Sequence, residues 1–326
     1  MPAFPKPRFA YDYDLDTELR ALRGYHELPG KEDRAIPAKA KGDLLLATWN
    51  IANLGVQDRR EKDYQLIAEI VSWFDLIAIQ ETNGNLEGLR GIQDQSAGRY
   101  TVLFSDPGGN NERFAFVYDS ERLEVLEEIG LITVPAKDLK SVRLPEVTQP
   151  FPGFDRNPYL VSFHADDLEF VLANVHLYFG DESSKAGMER RCLEAYAVGR
   201  WADLRRRDAE AYLPNVLALG DFNLPVRDES DPVYRALTRK GLNLPPHSTK
   251  VGGSNLNDDA QYDQMGVFPG PMEEAIEQLG VFDFDGALFR DLWGTTKAEQ
   301  SKFRSYVKYY LSDHRPLWAR LKTAAR

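Results

Sequence analysis

The stretch Val216-Leu-Ala-Leu-Gly-Asp-Phe-Asn223 joins an aliphatic run to an acidic and an amide side chain. Its first four residues have the apolar character of a buried strand, and the glycine that follows favours a turn. The turn would deliver Asp221 and Asn223 on the same side. Taken alone this segment indicates little, because Gly, Asp and Asn are ordinary turn formers.

Three other apolar runs end in the same way, at Leu44–Asn50, Leu76–Glu81 and Phe170–His176. Each of the four ends carries a carboxylate, an amide or an imidazole. Such groups bind hard metal ions or transfer protons. The repeated pattern therefore predicts an enzyme that cleaves phosphodiesters or phosphomonoesters.

The composition is that of a large acidic globular chain. It has 326 residues, of which 43% are hydrophobic, and 40 Lys and Arg against 51 Asp and Glu give a net charge of −11. This length and composition suffice for a sizeable core. The acidic balance disfavours non-specific nucleic-acid binding, which needs a basic face. It does not exclude nucleic acid as a substrate, because a metal ion can screen the phosphate locally.

The sequence also bears on the cellular location. Cys192 is the one cysteine, so no intrachain disulfide can form, and a reducing compartment is favoured. Residues 1–8 lack the apolar segment of a secretory signal, and no apolar run approaches the length of a membrane span. We therefore expect a cytoplasmic enzyme that does not act at a membrane, and the sequence gives no basis for predicting a protein partner.

Strand-like and helix-like segments alternate from Asp43 onward. Strands are predicted at 43–49, 75–80, 100–104, 113–118, 123–134, 158–164, 168–175, 215–219, 261–268 and 314–321. Helices are predicted at 59–74, 186–210, 231–240 and 271–279. Many of the strands are too continuously apolar to have one wet face, so we expect two packed sheets with outer helices, a four-layer α/β sandwich.

Residues 1–42 differ from the remainder, with three prolines among the first seven residues. We expect an N-terminal extension wrapped on the surface, with one helical turn near 16–23, followed by a catalytic domain over 43–326. The polar, Gly- and Asn-rich loops at 105–112 and 247–260 are candidate binding segments, because such loops on a rigid scaffold often carry function. Simple surface mobility explains most of their residues equally well.

Candidate metal ligands and proton-transfer groups follow from the residue types. Asn50, Glu81 and Asp313 supply the oxygen ligands that Mg²⁺ and Mn²⁺ prefer. A zinc site is disfavoured by the single cysteine and the five dispersed histidines. His176 and His314 can transfer protons near neutral pH when a carboxylate orients each imidazole. The carboxylates available for this are Glu112 and Asp263.

Each of these residues also has a plain structural explanation. Ser312–Pro316 alone is a capped turn, Asn50 and Asn223 alone can bridge turns, and Arg156 alone can form an ordinary ion pair. Only the order and context of the whole set favour a functional interpretation. In chain order the set is Trp49-Asn50, Gln80-Glu81, Glu112-Arg113, Arg156-x-Pro158, Val175-His176-Leu177, Gly220-Asp221-Phe222-Asn223, Tyr262-Asp263 and Ser312-Asp313-His314-x-Pro316.

This ordered set resembles the endonuclease/exonuclease/phosphatase superfamily, which is the DNase I-like group. Within that superfamily the chain resembles a bacterial-type member. The resemblance covers roughly 43–322. It implies a four-layer α/β sandwich with the active site where the two sheets meet. It also implies a divalent cofactor, Mg²⁺, with Mn²⁺ or Ca²⁺ as alternatives.

The resemblance further implies roles for single residues. Asn50 and Glu81 would hold the metal, with Asp313 near it. Asp221 and Asn223 would position the attacking water and the transition state. The remaining implied groups are two acid–base or phosphate-stabilising pairs, His176 with Glu112 and His314 with Asp263, and the substrate-binding arginines Arg113 and Arg156.

Two departures bear on the substrate. DNase I-type nucleases carry an arginine two residues after the metal-binding glutamate and an aromatic residue two before the histidine-supporting glutamate, where this chain has Asn83 and Asn110. The sequence predicts a nuclease acting on DNA or RNA by in-line attack of an activated water. A phosphatase acting on a small or lipid head-group phosphate ester, and a non-catalytic binding protein, remain as alternatives.

Overall fold

Two mixed β-sheets pack face to face, and helices cover both outer faces. The computed structural model describes residues 4–27, 36–96, 98–180, 184–247 and 249–324. The strands are β1 (Asp43–Leu54), β2 (Leu76–Asn83), β3 (Tyr100–Phe104), β4 (Glu112–Asp119), β5 (Glu124–Leu131), β6 (Tyr159–Ala165), β7 (Leu168–His176), β8 (Val216–Asp221), β9 (Asp263–Val267), β10 (Ile276–Val281) and β11 (Leu317–Lys322). The helices are α1 (Leu15–Glu27), α2 (Glu61–Ser72), α3 (Glu87–Gln95), α4 (Lys185–Arg207), α5 (Pro232–Thr238), α6 (Pro271–Ala275) and α7 (Lys297–Tyr310).

The two sheets have different strand orders. The first is β10-β11-β1-β2-β4-β3 and the second is β5-β6-β7-β8-β9. At the centre of each sheet lies one parallel pair, β1 with β2 in the first and β7 with β8 in the second. The C-terminal ends of the two strands in a parallel pair lie at the same edge of their sheet. The C-terminal ends of β1, β2, β7 and β8 therefore lie together.

Alternation along the strands explains why their sequences are apolar throughout. In β1, Leu44 and Leu46 pack between the two sheets, whereas Leu45, Ala47 and Trp49 pack under the helices. Both faces are buried, so both sets of alternate side chains are apolar. One further core follows the same logic, between the second sheet and the helices α4 and α5. The predicted four-layer α/β sandwich is confirmed.

One predicted element is wrong. The helix expected over 271–279 ends at Ala275, and Ile276–Val281 forms an edge strand, β10, paired with β11. Leu279 and Val281 alternate toward the core between the sheets, and this tertiary burial outweighs local helix propensity. Two helices that were not predicted, α3 and α7, complete the outer layer of the first sheet.

The described part of the N-terminal segment is integrated into the helical layer. Its helix α1 is longer than the single turn expected near 16–23, and Leu22 and Tyr25 are buried in the core under the first sheet. The Tyr13 hydroxyl donates a hydrogen bond to Asp63 Oδ1 over 2.8 Å. Residues 1–3 and 28–35 lie outside the described residues. The domain boundary at residue 42 stays a prediction.

No helix within the described part of the chain combines the length and the apolar character needed to cross a bilayer.

Phe163 tests the core between the sheets. It is fully buried on β6, and its ring lies 5.7 Å from that of Phe116 and 5.6 Å from that of Tyr118. We expect Phe163→Ala to lower the free energy of unfolding by about 3–5 kcal/mol, because it leaves a cavity in close-packed surroundings. Urea unfolding followed by circular dichroism measures this. Ile129→Ala, at a residue 47% exposed on β5, is the matched control and should change it by less than about 0.5 kcal/mol. Equal losses in both variants would contradict the assigned core.

Candidate active site

The strand register places four polar side chains at the edge of the core between the sheets. His176 lies opposite Asp221 in the parallel pair of β7 and β8, and Asp221 lies opposite Asp263 in the pair of β8 and β9. Each has the same parity along its strand as residues of the core between the sheets, such as Leu172, Leu219 and Met265. Asn50 continues the Leu44–Leu46 alternation of β1 in the other sheet. The site is therefore the polar end of that core.

Unusual backbone conformations set the strand ends. Alternation would direct Glu81 away from the face used by Gln80, but its φ of +59° breaks the alternation and its side chain reaches Asn50. Asn223 also has a left-handed backbone, with φ +49°. Gly220 has φ +138°, and a Cβ there would lie 2.0 Å from the Val175 carbonyl oxygen. Non-glycine residues with positive φ are strained and are often found at functional sites.

The Asn50 side chain joins carboxylates of the two sheets. Its Nδ2 donates to Glu81 Oε1 and to Asp221 Oδ2, each over 3.0 Å. Asn50 Oδ1 is buried and has no hydrogen-bond partner among the described residues. Glu81 Oε2 accepts a 2.8 Å hydrogen bond from Asn53 N, and burial raises the pKa of the Glu81 carboxyl. Two oxygen ligands, one of them unpaired, thus lie side by side.

His176 has a carboxylate on each side. Its Nδ1 lies 3.1 Å from Glu112 Oε2, close enough for an ion pair although the angle is not that of an aligned hydrogen bond. Its Nε2 lies 3.6 Å from Asp221 Oδ2. Arg156 stands behind this pair, with Nη1 3.4 Å from Glu112 Oε2 and its Nε donating to the His176 carbonyl. Burial opposes ionisation of Glu112, but His176 and Arg156 outweigh it and lower its pKa.

His314 forms a second pair with Asp263. Its Nδ1 lies 2.8 Å from Asp263 Oδ2, and its Nε2 lies 3.8 Å from Asp221 Oδ2. Burial disfavours the imidazolium, but the charges of Asp263 and Asp221 outweigh this effect and raise the pKa of His314 well above its usual value. Burial likewise disfavours the Asp221 carboxylate, yet the two imidazoles, Asn223 N and Asn50 lower its pKa. Asp221 is thus a buried carboxylate between two histidines.

Asn223 and Asp313 complete the predicted set at different depths. Asn223 N donates to Asp221 Oδ1 over 2.8 Å, and its Nδ2 donates to the Leu177 carbonyl over 2.7 Å. Asp313 lies at the rim, where Lys308 Nζ is 2.8 Å from its Oδ2. Asp313 is therefore held by a lysine that the sequence had not indicated.

Arg113 does not join this group. Its Nη1 donates to the Ser105 carbonyl over 2.6 Å, and its guanidinium lies 5.7 Å from the Phe104 ring. The other ten predicted residues converge. These are Asn50, Glu81, Glu112, Arg156, His176, Asp221, Asn223, Asp263, Asp313 and His314. The reason for the difference is alternation along β4, which sends Glu112 and Arg113 to opposite faces.

Hydrogen bonds from neighbouring segments brace the site. Ser254, in the loop 247–260, accepts the Asp263 backbone N–H over 3.0 Å. Ser312 Oγ donates to the Asn50 carbonyl, and Trp49 Nε1 donates to the His314 carbonyl. Arg59 is buried, and it donates to the carbonyls of Ala52 and Leu311. These bonds lock the Asn50 and His314 segments together across the first sheet.

Seven of these ten residues form the floor of an open cleft of about 560 Å³, and the other three, Asn50, Glu112 and Asp263, do not line it. Further side chains line its walls that the strand-end pattern could not reveal. They are Phe4, Asn110, Asp155, Tyr178, Phe179, Tyr262 and Lys308. Asn110 lies in the predicted binding loop 105–112. Phe4 and Lys308 come from the N-terminal segment and α7, for which no motif was present in the sequence.

The residues present suit a divalent cation that binds oxygen. Asn50 Oδ1, without a partner among the described residues, and the Glu81 carboxylate are hard ligands of the type that Mg²⁺ takes while keeping several waters. Across the described residues, no cluster of three or more His, Cys, Asp or Glu side chains forms a ready-made metal site. The group that suits a divalent cation therefore consists of one amide oxygen and one carboxylate. The identity of the ion stays a prediction.

Comparisons with known proteins support the fold and the family resemblance. No family model matches the sequence. A curated protein named deoxyribonuclease, from Thioalkalivibrio sp. (strain K90mix), is 30% identical over 238 residues. The match covers 69% of this chain and 59% of that protein, so the chain spans less than two thirds of this relative's length.

Solved structures give the same fold. An endonuclease/exonuclease/phosphatase family protein from Bacteroides thetaiotaomicron has a TM-score of 0.52 at 18% identity, covering 86% of this chain and 97% of that chain. A mannosyl-6-phosphatase from Bacteroides thetaiotaomicron VPI-5482 has a TM-score of 0.52 at 19% identity, covering 85% and 98%. The chain has the endonuclease/exonuclease/phosphatase fold, as the ordered motifs predicted.

The His314–Asp263 pair makes a pH-dependent prediction. We expect His314 to titrate well above 6.5 in the wild type and lower in Asp263→Asn, because the variant removes the nearest negative charge. Proton NMR of the imidazole in chelator-containing buffer measures this. A raised pKa in the folded state stabilises the fold below the unfolded value of about 6.5, and this contribution is lost as the pH rises through the folded-state pKa.

The matched control is Glu124→Gln, which removes a carboxylate 3.8 Å from His164 on the second sheet. It should leave the His314 titration unchanged. An unshifted His314 titration in Asp263→Asn would contradict the pairing.

Proposed function

We propose that this protein is a divalent-metal-dependent phosphoesterase that hydrolyses phosphodiester bonds in nucleic acid. One observation carries the proposal: Asp221 Oδ2 lies 3.0 Å from Asn50 Nδ2, 3.6 Å from His176 Nε2 and 3.8 Å from His314 Nε2. A water at the cleft floor would meet a carboxylate that accepts its proton. The two imidazoles beside it would face the oxygens of a bound phosphate.

The chain's own residues divide the work by their charge. Asp221, held ionised by its neighbours, orients the water and takes its proton. His314, held protonated by Asp263, offers Nε2–H to a phosphate oxygen or to the leaving oxygen. His176, supported by Glu112, offers the second donor from the opposite side. Asn223 and Arg156 form hydrogen bonds with Asp221 and with the His176 carbonyl. Their role therefore includes holding these two segments in place, besides any contact with the substrate.

Asn50 Oδ1 and Glu81 would hold the cation, which we propose to be Mg²⁺, with Mn²⁺ or Ca²⁺ as substitutes. When bound, it would neutralise phosphate charge at the point where this acidic chain offers few cations. Asp313 would approach it only after release from Lys308, so we assign Asp313 to the rim. Arg113 has no assigned role in substrate binding, because its guanidinium is engaged at Ser105.

The choice of nucleic acid over a small phosphate ester is supported by two points. The relative named deoxyribonuclease is similar over 238 residues. The cleft, of about 560 Å³, is open rather than enclosed, so a polymer can extend beyond the reacting phosphate. A phosphomonoester remains the rival substrate, since the same groups would serve both reactions. The cytoplasmic location predicted from the single cysteine also stays a prediction.

Asp221→Asn tests the water-activating role. We expect kcat for a DNA oligonucleotide with Mg²⁺ to fall about 10²- to 10⁴-fold, because the amide cannot accept the proton. A gel assay of end-labelled DNA measures it, with RNA and a phosphomonoester panel alongside. The isosteric control Asp106→Asn changes a carboxylate that does not line the cleft and whose side chain is 91% exposed, and should keep full activity. Phosphate release from the panel with intact nucleic acid would overturn the nuclease proposal.

Glu81→Gln tests the metal site without relying on turnover. We expect Mn²⁺ affinity, measured by electron paramagnetic resonance, to fall by at least about tenfold, since a charged ligand becomes neutral. The Mg²⁺ concentration giving half-maximal activity should rise in parallel. Glu87→Gln, on an exposed residue at the start of α3, is the matched control. Unchanged Mn²⁺ binding in Glu81→Gln would remove Glu81 from the metal site.

A further inference from the structure

The catalytic cleft continues into a second depression along α7. This depression has a volume of about 390 Å³ and shares Tyr262, Lys308, Asp313 and His314 with the cleft. Beyond the shared residues, it is lined by Ser301, Arg304 and Ser305 of α7 and by the loop residues Asn255, Leu256 and Asn257. The cleft and this depression form one groove, which extends from the His314 side of the cleft along α7.

The α7 side of this groove is a single helix face. Ser301, Arg304, Ser305 and Lys308 follow the i, i+3, i+4, i+7 spacing that places side chains in one row. Arg304 and Lys308 are four residues apart, or about 6 Å along the helix axis. The row therefore presents two cations, of which Lys308 is paired with Asp313, and two hydroxyl groups in line with the cleft floor.

The cation farther from the cleft is uncommitted. Within the part of the chain that the structure describes, Arg304 has no ion pair, and its buried Nε has no hydrogen-bond partner. Its guanidinium carbon lies 5.9 Å from the ring of Trp293, which is 38% exposed and also has Arg290 at 4.9 Å. Many other arginines in the described residues form ion pairs with carboxylates. Arg315 Nε, for example, lies 2.8 Å from Asp285 Oδ1. A free guanidinium beside an exposed indole is arranged for a ligand with both negative charge and flat rings.

Aromatic groups also mark the cleft end of the row. Lys308 Nζ lies 3.7 Å from the centroid of the Phe4 ring, and Phe179 is 37% exposed in the cleft. Rings at both ends with cations between them form the pattern by which proteins bind single-stranded nucleic acid, in which bases stack and phosphates meet cations. A duplex hides its base faces and carries phosphates on two strands, which one short cationic row on an acidic chain would not serve.

We propose that this face of α7, from Lys308 past Arg304 to Trp293, is a binding track for a single strand of DNA that leads away from the reacting phosphate. The proposal rests on the proposed nuclease function and adds the strandedness of the substrate. Lys308 and Arg304 contact successive parts of the backbone, and the Trp293 ring stacks on a base beyond them.

The test compares a long and a short substrate with the full chain. Arg304→Ala and Trp293→Ala are assayed on a single-stranded DNA 20-mer and on bis(p-nitrophenyl) phosphate, which cannot reach the track. We expect KM for the 20-mer to rise roughly 5- to 100-fold in Trp293→Ala. For Arg304→Ala, the slope of log affinity against log salt should become shallower by about 0.7. Turnover of the small diester should be unchanged in both variants.

The matched control is Arg206→Ala. Arg206 is an exposed arginine on α4 that lines a depression with Val216, at the start of β8, the end of that strand farther from Asp221. The variant removes the same charge far from the groove and should leave KM unchanged. Arg304→Lys, in contrast, should restore most of the salt slope. Equal effects of Arg304→Ala and Arg206→Ala would overturn the track. A duplex bound with the same affinity and the same dependence on Arg304 would overturn the assignment to a single strand.

Binding without turnover separates the two proposals. Fluorescence anisotropy of labelled single-stranded DNA on Asp221→Asn, compared with Asp221→Asn/Arg304→Ala, requires no hydrolysis. Arg304-dependent binding in a protein that cleaves no nucleic acid would remove the nuclease function and keep the track. Cleavage by the wild type with no effect of Arg304 or Trp293 on binding would keep the nuclease and remove the track.

Discussion

The amide group of Asn50 is the constraint on which the site depends, because it holds carboxylates from the two sheets 3.0 Å from one nitrogen. Glu81 comes from the first sheet and Asp221 from the second. Two buried carboxylates at this separation repel each other unless a donor lies between them. The two N–H groups of Asn50 supply that donor, and this leaves Asn50 Oδ1 as a buried oxygen without a hydrogen-bond partner among the described residues.

The packing behind Asn50 keeps the two sheets in register. Gln80 Nε2 donates to Thr48 Oγ1 within the first sheet and to Asn174 Oδ1 of the second. Asn174 Nδ2 returns hydrogen bonds to the carbonyls of Ile79 and Ala115. These hydrogen bonds can form in only one arrangement of the two sheets, so they specify how the layers meet. The apolar core between the sheets then ends in a polar layer, and the proposed catalytic groups lie one step beyond it.

The sequence could predict the parts of this arrangement that are local. Strand ends carry their polar residues in a fixed order, and alternation assigns Asn50, His176 and Asp221 to the face between the sheets. Alternation along β4 also explains why the Arg113 side chain lies away from the site although Arg113 directly follows Glu112. The backbone of Glu81 is the exception, since its positive φ reverses the parity that its strand would give.

Long-range packing determined what the sequence could not predict. Lys308 belongs to α7, which packs against the N-terminal segment, where the Tyr306 ring contacts those of Phe9 and Tyr11. Neither α7 nor the depth of the N-terminal packing has a local signal that distinguishes it from a surface helix or a loose arm. The edge strand β10 was mistaken for a helix for the same reason, since its pairing with β11 is decided about 40 residues away.

Anomalous diffraction from a crystal soaked in Mn²⁺ with a non-cleavable single-stranded phosphorothioate locates the metal and the phosphate in one experiment. We expect a manganese peak between Asn50 Oδ1 and Glu81, with a phosphate group between Asp221 and the two histidines. Manganese bound elsewhere at saturating concentration, with the phosphate outside the cleft, would contradict it.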